Sequence, residues 1–437
     1  MLLNYINMSK RYIEVRPQNN PSNGLISYKR GNPQISFLIG EQNAFLLGKT
    51  IRLSGKFHAF SNSAETAPVA VQNINSRIGI YSIVDQLILR SNRNKASIEH
   101  IRDYNRMMQS YFQVSSGKAD GMSHLNMSAL TMPNFEACRQ EALTTAGRDF
   151  SFHLPSGLLN GTDGIPLSNQ FGIGGLELTI MLAPDASVFY SNTGVTTTIV
   201  DAFYQLSDLR LSCELEVPPP DQLSQLMKLS SGQLEYNSIS SQYATVNSGN
   251  AIINFSLGLS KVQSVFVNMI PARYLNNLGF DSMATLMPIN VDGSLAGLRT
   301  QINTRSGVRY PRDFVIDTNL REAPNTNVVD PQVLRNYFNA ISKWTDVNPE
   351  TYLSSTTANR NYTGDITSYG QVAEGGVCFG LGVTYDQIGS GTADFSMVQW
   401  GLEADIDLTS DEPQAVFIFA VNKNTLVFNN EGLQVLS

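Results

Sequence analysis

Short runs of alternating apolar and polar residues recur along this chain. The clearest covers residues 208–217, where Leu209, Leu211, Cys213, Leu215 and Val217 fall on one side and Arg210, Ser212, Glu214 and Glu216 on the other. Side chains alternate faces along a strand, so a period of two marks a half-buried β-strand. Looser runs of the same kind cover 45–60, 78–89, 175–190, 251–259, 263–270, 376–385, 397–408 and 415–428, with Gly, Asn, Asp and Ser between them. That texture predicts β-sandwiches.

Two segments carry helical spacing instead. Ile98, Ile101, Tyr104, Met108 and Phe112 recur at three- and four-residue steps, which predicts a helix over about 96–112. Asp330-Pro331 offers an N-cap followed by proline at the first helical position, and Leu334, Phe338, Ile341 and Trp344 continue an apolar stripe. Pro218-Pro219-Pro220 follows the best strand and cannot extend a ladder, so it predicts a break or rigid linker near mid-chain. Each side of it repeats one layout: strands, a helix, a long polar stretch (113–170, then 345–375), and closing strands. Two tandem β-units fit this order, although no residue-level repeat supports the duplication.

Composition and charge narrow the function. Charged residues are 15% of the 437, against about 25% in an ordinary soluble domain, so much surface is expected to lie against other copies. The formal net charge of −7 argues against specific nucleic-acid recognition by the body of the protein. Residues 1–33 differ: Lys10, Arg11, Arg16, Lys29 and Arg30 face Glu14 alone, a net of +4 that leaves −11 elsewhere. This stretch reads as a disordered start, or as an arm that tucks against neighbours or an anionic inner surface. Cys138, Cys213 and Cys378 are odd in number and widely spaced, which predicts reduced thiols rather than a disulfide framework. No signal peptide is visible at the start, and the longest apolar run, 415–421, is of strand length. Sequons at Asn126 and Asn361 carry little weight without secretion.

A search for chemistry finds none. His58, His100, His124 and His153 have no metal-ligand spacing to one another or to cysteine, and each reads as structural. Ser123 beside His124 is adjacency, not a triad. Gly389-Ser390-Gly391-Thr392 lacks the lysine of a phosphate loop and reads as a turn. Glu403, Asp405 and Asp407 share one strand face beside Asp411-Glu412. Calcium binding or paired-carboxylate catalysis is the sharper reading there; a solvated face beside an acidic turn is the plainer one, and the glycine of a calcium loop is missing. Trp344 and Trp400 read as core or interface before they read as a carbohydrate platform. The expectation is no enzyme, no catalytic, cofactor-binding or metal site, and no cofactor.

At three places the chain resembles the double jelly-roll major capsid proteins of double-stranded DNA viruses, the lineage of large eukaryotic DNA viruses, virophages and polinton-like viruses. Gly31-Asn32-Pro33-Gln34-Ile35-Ser36-Phe37-Leu38 is similar to the family's opening signature, which enters the first strand. Ile165-Pro166-Leu167 followed by 174–182 is similar to the strand that returns after the first long loop. Phe417-Ile418-Phe419-Ala420-Val421-Asn422-Lys423-Asn424 through Gly432-Leu433 resembles the final strand and tail. These stretches cover about a tenth of the chain but fall in the family's order.

The resemblance implies an all-β fold: two tandem eight-stranded jelly-roll β-sandwiches with short flanking helices and long loop insertions. The division expected is an arm over 1–33, a first jelly roll over 34–217, a linker over 218–249 and a second jelly roll over 250–437. The function implied is a major capsid protein whose homotrimers form pseudo-hexagonal capsomers and tile an icosahedral virion shell. Its partners would be neighbouring capsomers and minor capsid or penton proteins, with the arm reaching an inner membrane or anionic interior. Assembly would take place in the host cytoplasm or nucleus. Rival readings are a minor capsid, penton or spike protein, and a two-jelly-roll carbohydrate-binding protein or hydrolase.

Overall fold

The computed structural model describes residues 9–19, 33–75, 78–115, 129–130, 143–161, 164–191, 199, 201–228, 231–247, 249–255, 257–283, 297–304, 309–316, 331–345, 366–367, 371–372, 380–385, 391–396, 400–407, 413–429 and 432–436. Sixteen principal strands fall into two sets of eight. The first set is β1 (Ser9–Val15), β2 (Gln34–Ile39), β3 (Phe45–Phe60), β4 (Val84–Ser91), β5 (Ser97–Ile101), β6 (Arg148–His153), β7 (Leu176–Leu182) and β8 (Phe203–Val217). The second is β9 (Ser231–Val246), β10 (Gly249–Phe255), β11 (Val262–Pro271), β12 (Gly297–Thr304), β13 (Arg309–Ile316), β14 (Leu381–Thr384), β15 (Trp400–Asp407) and β16 (Gln414–Asn429).

Within each set the sheets have the same strand order. The first sandwich pairs β1-β8-β3-β6 in one sheet and β2-β7-β4-β5 in the other. The second pairs β9-β16-β11-β14 and β10-β15-β12-β13, so each strand matches the one eight places earlier. A long helix follows the fifth strand in both: α1 (Tyr104–Ser115) and α2 (Pro331–Thr345). The duplication expected from layout alone is therefore present strand by strand. This is the tandem jelly-roll architecture expected from the sequence.

The local reasons are those of half-buried sheets. Along β8, Leu209, Leu211, Cys213 and Leu215 are buried and Arg210 is exposed. A β-bulge between Ser207 and Arg210, with Asp208 at φ 51°, resets the alternation, so that Leu206 and Leu211 both reach the core with Leu53 and Phe57. In the second sandwich Ser264, Phe266 and Asn268 of β11 turn outward to α2. Phe266 lies edge-on to Tyr337 at 6.3 Å, and the Ser264 hydroxyl donates to the Ala340 carbonyl at 2.6 Å. α2 can approach this closely because β14 has glycine at position 382: a Cβ there would lie 2.6 Å from the Tyr337 Cα.

Several expectations need correction. The arm expected over 1–33 is a strand in part: β1 pairs antiparallel with β8 from Ser9↔Val217 to Val15↔Leu211. The expected linker 218–249 contains β9, which pairs along its whole length with β16. Pro218-Pro219-Pro220 does end β8, and Pro220 then opens the short helix Pro220–Leu226. The helix expected from about residue 96 begins only at Tyr104. Ile98 and Ile101 belong to β5, where a register shift opposite Leu89 and Arg90 inserts one extra residue and leaves Ile98 and Glu99 both buried. The bulge produces a three-residue apolar step that imitates a helix. Similarly, 78–89 opens as a 3-10 turn over Gly79–Ile83 before β4 begins. The run 175–190 is divided by a short helix at Asp185–Val188.

Gly382→Ala tests the packing of α2. It is expected to cost about 1–3 kcal/mol, since a backbone atom and not a flexible side chain meets the new methyl. A lowered midpoint in differential scanning calorimetry would show it.

Candidate functional site at the seam between the sandwiches

The described residues with the densest buried polar chemistry lie where the two sandwiches meet. β9 pairs with β16 on one side only; its other edge lies against β5 and the short helix Gly157–Gly161 of the first sandwich. An open edge carries unpaired N–H and C=O groups that must be satisfied or hidden. Glu99, 2% exposed, does part of this. Its carboxylate accepts the N–H groups of Gly157 at 3.0 Å and Leu158 at 3.2 Å. Ser156 and the backbone of Ile239, on β9, also hydrogen-bond to it. Burial raises the Glu99 carboxyl above its ordinary range, and those hydrogen bonds pull against the rise.

Tyr236 reaches the other way, its hydroxyl donating to the Ile98 carbonyl at 2.7 Å. The Ser241 hydroxyl donates to the Arg102 carbonyl at 3.1 Å. A Cβ on Gly157 would overlap the Asn237 carbonyl, so only glycine allows β9 to seat here.

Beside this edge the two long helices meet, with Tyr111 of α1 edge-on to Trp344 of α2 at 5.4 Å. Arg106 of α1 is buried among second-sandwich groups. It donates to the Ser282 carbonyl, contacts the Met283 sulfur at 3.1 Å and lies over the Phe417 ring at 5.3 Å. Burial pulls its guanidinium down to about 10, while Asp103, Asp281 and Asp85 hold it up, so it stays charged at neutral pH. The Asp281 carboxylate accepts from Asn75 at 2.7 Å, a further bond between the sandwiches. Asn268 of β11 donates to the Ser110 hydroxyl at 2.7 Å and accepts from the Tyr337 hydroxyl at 3.1 Å, tying α1, α2 and the second sandwich together. Near the chain's end, Arg93 donates to the Asn429 carbonyl at 2.9 Å and Asn94 to that of Leu433 at 3.0 Å.

The residues weighed for chemistry are dispersed. His58 Nδ1 donates to the Thr145 carbonyl at 3.0 Å, leaving Nε2 to accept the Ser207 hydroxyl at 2.7 Å, which is a link between neighbouring strands. His100 Nε2 donates to the Gln86 side-chain oxygen at 2.9 Å. His153 accepts from the Tyr81 hydroxyl at 3.0 Å, and burial together with Arg52 lowers it to about 4. Cys213 is buried and its thiol is pushed up to about 12 by burial. Among the described residues no three His, Cys, Asp or Glu groups come close enough to hold a metal ion, and no helix is long and apolar enough to cross a membrane.

Ser123, His124, Cys138, Cys378, Asn126, Asn361, Gly389, Ser390, Asp411 and Glu412 lie outside the described residues, as do the side chains of Glu403, Asp405, Asp407 and Trp400. Trp344, expected in the core or at a subunit interface, is buried against Tyr111 within the chain. Sequence reading passed over Glu99, Arg106 and Gly157. The available signal for the two charged residues was a charge set inside an apolar run, Glu99 in β5 and Arg106 in α1.

No family model matches the chain, and no curated protein matches its sequence. Solved structures do. A chain of the PBCV-1 virus capsid aligns over 100% of this chain and 98% of its own at 11% identity, with a TM-score of 0.56. A chain of the Sputnik virophage aligns over 100% and 90% at 11% identity, also with a TM-score of 0.56. The Faustovirus major capsid protein aligns over 98% and 93% at 8% identity, with a TM-score of 0.54.

The fold is the double jelly roll. In this double jelly roll the seam holds two sandwiches as one block through buried hydrogen bonds, a buried arginine and paired helices.

Two outcomes are expected here. Arg106→Met leaves the Ser282 carbonyl and Asp281 without their cation, and should cost about 3–5 kcal/mol, read from the urea midpoint of Trp344 fluorescence. The second concerns pH. Asp103 is raised to about 6 by burial and Asp85, against Arg106 and Arg102. Its ionised form therefore weakens the fold above about pH 6, a cost that fades as pH falls toward its ordinary 3.8. His153 acts oppositely, since it is neutral when folded and its contribution is lost as pH falls from 6.5 through 4. Asp103→Asn, which tolerates the φ of 51° at that position, should steepen the loss of thermal stability on acidification, and His153→Gln should flatten it. Thermal scans from pH 8 to pH 4 measure both.

Proposed function

We propose that this chain is a major capsid protein whose homotrimers form pseudo-hexagonal capsomers that tile an icosahedral virion shell. The observation that carries the reading is the pair of sandwiches with identical strand order, locked into one block and aligned along nearly the full length of viral capsid chains. Three such blocks supply six similar sandwiches, which suits a six-sided outline built on a three-fold axis. In such a protein function is geometry. The contacts within a capsomer must be strong and closed, and those between capsomers weaker and repeated.

The low share of charged residues, 15%, fits broad lateral contacts with other copies. The first structural unit runs from Ser9 to Val217 and the second from Ser231 to the end of the chain, joined by the proline-led helix between them. Neighbouring capsomers and minor capsid or penton proteins are its partners. Of the basic residues near the start, Lys10 and Arg11 lie on β1, so contact with an anionic interior or an inner membrane falls to those outside that strand. The protein acts in the virion after assembly in the host cytoplasm or nucleus, as a structural component and not a catalyst.

Light scattering on purified protein, joined to negative-stain images, tests this. The expected result is three times the chain mass and particles with a hexagonal outline. A stable monomer that binds or cleaves a glycan would overturn it.

A further inference from the structure

The seam is asymmetric. It joins the first-strand edge of one sandwich, β9, to the β5 side of the other, so the two surfaces in contact are different. The sandwiches themselves share one strand order. A contact between unlike surfaces of like units can repeat, and such contacts either close into a ring or run on as a filament. The strand equivalent to β9 in the first sandwich is β1. Among the described residues β1 pairs with β8 alone, and nothing pairs with its outer edge.

The details fit an edge awaiting a partner. Most of β1 is exposed, and Tyr12 at its centre is 64% exposed. The neighbouring edge, on β2, is by contrast closed by its own chain: the Ser36 N–H donates to the Asn19 side-chain oxygen at 3.2 Å, and the Gln18 N–H to the Ser36 carbonyl at 2.7 Å. Two of the three charges on β1 reach across the sheet, Glu14 to Arg210 at 3.2 Å and Lys10 to Glu214 at 3.9 Å, and the exposed Arg11 alone is left to guard the edge. On β9, Tyr236 is buried and bonded across the seam and Tyr243 is 48% exposed, while the single tyrosine of β1, Tyr12, lies open to solvent.

We infer that β1, centred on Tyr12, is the edge by which one copy docks onto the second sandwich of another, in a contact that repeats between chains the seam found within the chain. This rests on the capsomer reading above and assigns the surface that closes it. Three repeats of the internal and external seams alternate around a ring of six sandwiches.

The test uses the full chain with Tyr12→Glu, which changes an exposed residue and removes no buried contact. With circular dichroism unchanged, the trimer's dissociation constant is expected to rise by about 100-fold or more, as for loss of a central interface aromatic. Hydrogen exchange on wild-type trimers should also show slowed exchange at the β1 amides not bonded to β8. Trimers that persist in Y12E with fast exchange at 9–15 would overturn the assignment and leave the capsomer standing. Wild-type protein that never trimerises would overturn the capsomer reading itself. Should Y12E fail to fold, the wild-type exchange pattern decides alone.

Discussion

A sheet that ends in an open edge leaves a row of backbone donors and acceptors with no partner, and the second sandwich of this chain would end so at β9. The first sandwich supplies what is missing. Glu99 takes backbone N–H groups from both sides of the seam, Tyr236 gives its hydroxyl to the Ile98 carbonyl, and Gly157 stands aside for the Asn237 carbonyl. A buried carboxylate is costly unless fully hydrogen-bonded, so this arrangement holds only when both sandwiches are folded and seated. The relative placement of the two units is a consequence of that requirement.

The rest of the seam depends on this seating. Arg106 can lie over Phe417 and reach the Ser282 carbonyl because β9 already holds the second sandwich close. The helices α1 and α2, each an accessory of its own sandwich by topology, then meet through Tyr111 and Trp344. Asn268 uses both ends of its amide to connect them. Interactions of this kind are directional, so they select one geometry among the many that apolar burial alone would permit. On the capsomer reading proposed above, an angular error within the block would be repeated at every position of the lattice.

Much of the fold was legible from residue order. Strands β3 and β8, and β16 from Asn422 onward, alternate because one face meets a core, and their apolar period survives in the sequence; β16 opens instead as a continuous apolar run buried on both faces. The proline-led break and the proline that opens α2 are local chemistry and were equally readable, while the expected cap, Asp330, lies outside the described residues. Strands β1 and β9 were not. The β1 sequence SKRYIEV is exposed over most of its length, and β9 is rich in Ser, Gln and Tyr because one side of it docks through hydrogen bonds and not through an apolar stripe. The β5 bulge went further and imitated a helix, placing Ile98 three residues before Ile101 on the buried side.

By itself, then, the sequence determined the class of the fold, the number of units and the absence of any legible catalytic motif. Those follow from local periodicity and composition, which act within a few residues. Only the tertiary structure decided which acid, which arginine and which glycine join the sandwiches. Glu99 and Ile239 are far apart in the chain, and nothing near either one indicates that a buried carboxylate and an unpaired strand edge will satisfy each other. Long-range pairing of that kind is set by where whole sheets come to rest, and that lies beyond the reach of any local pattern.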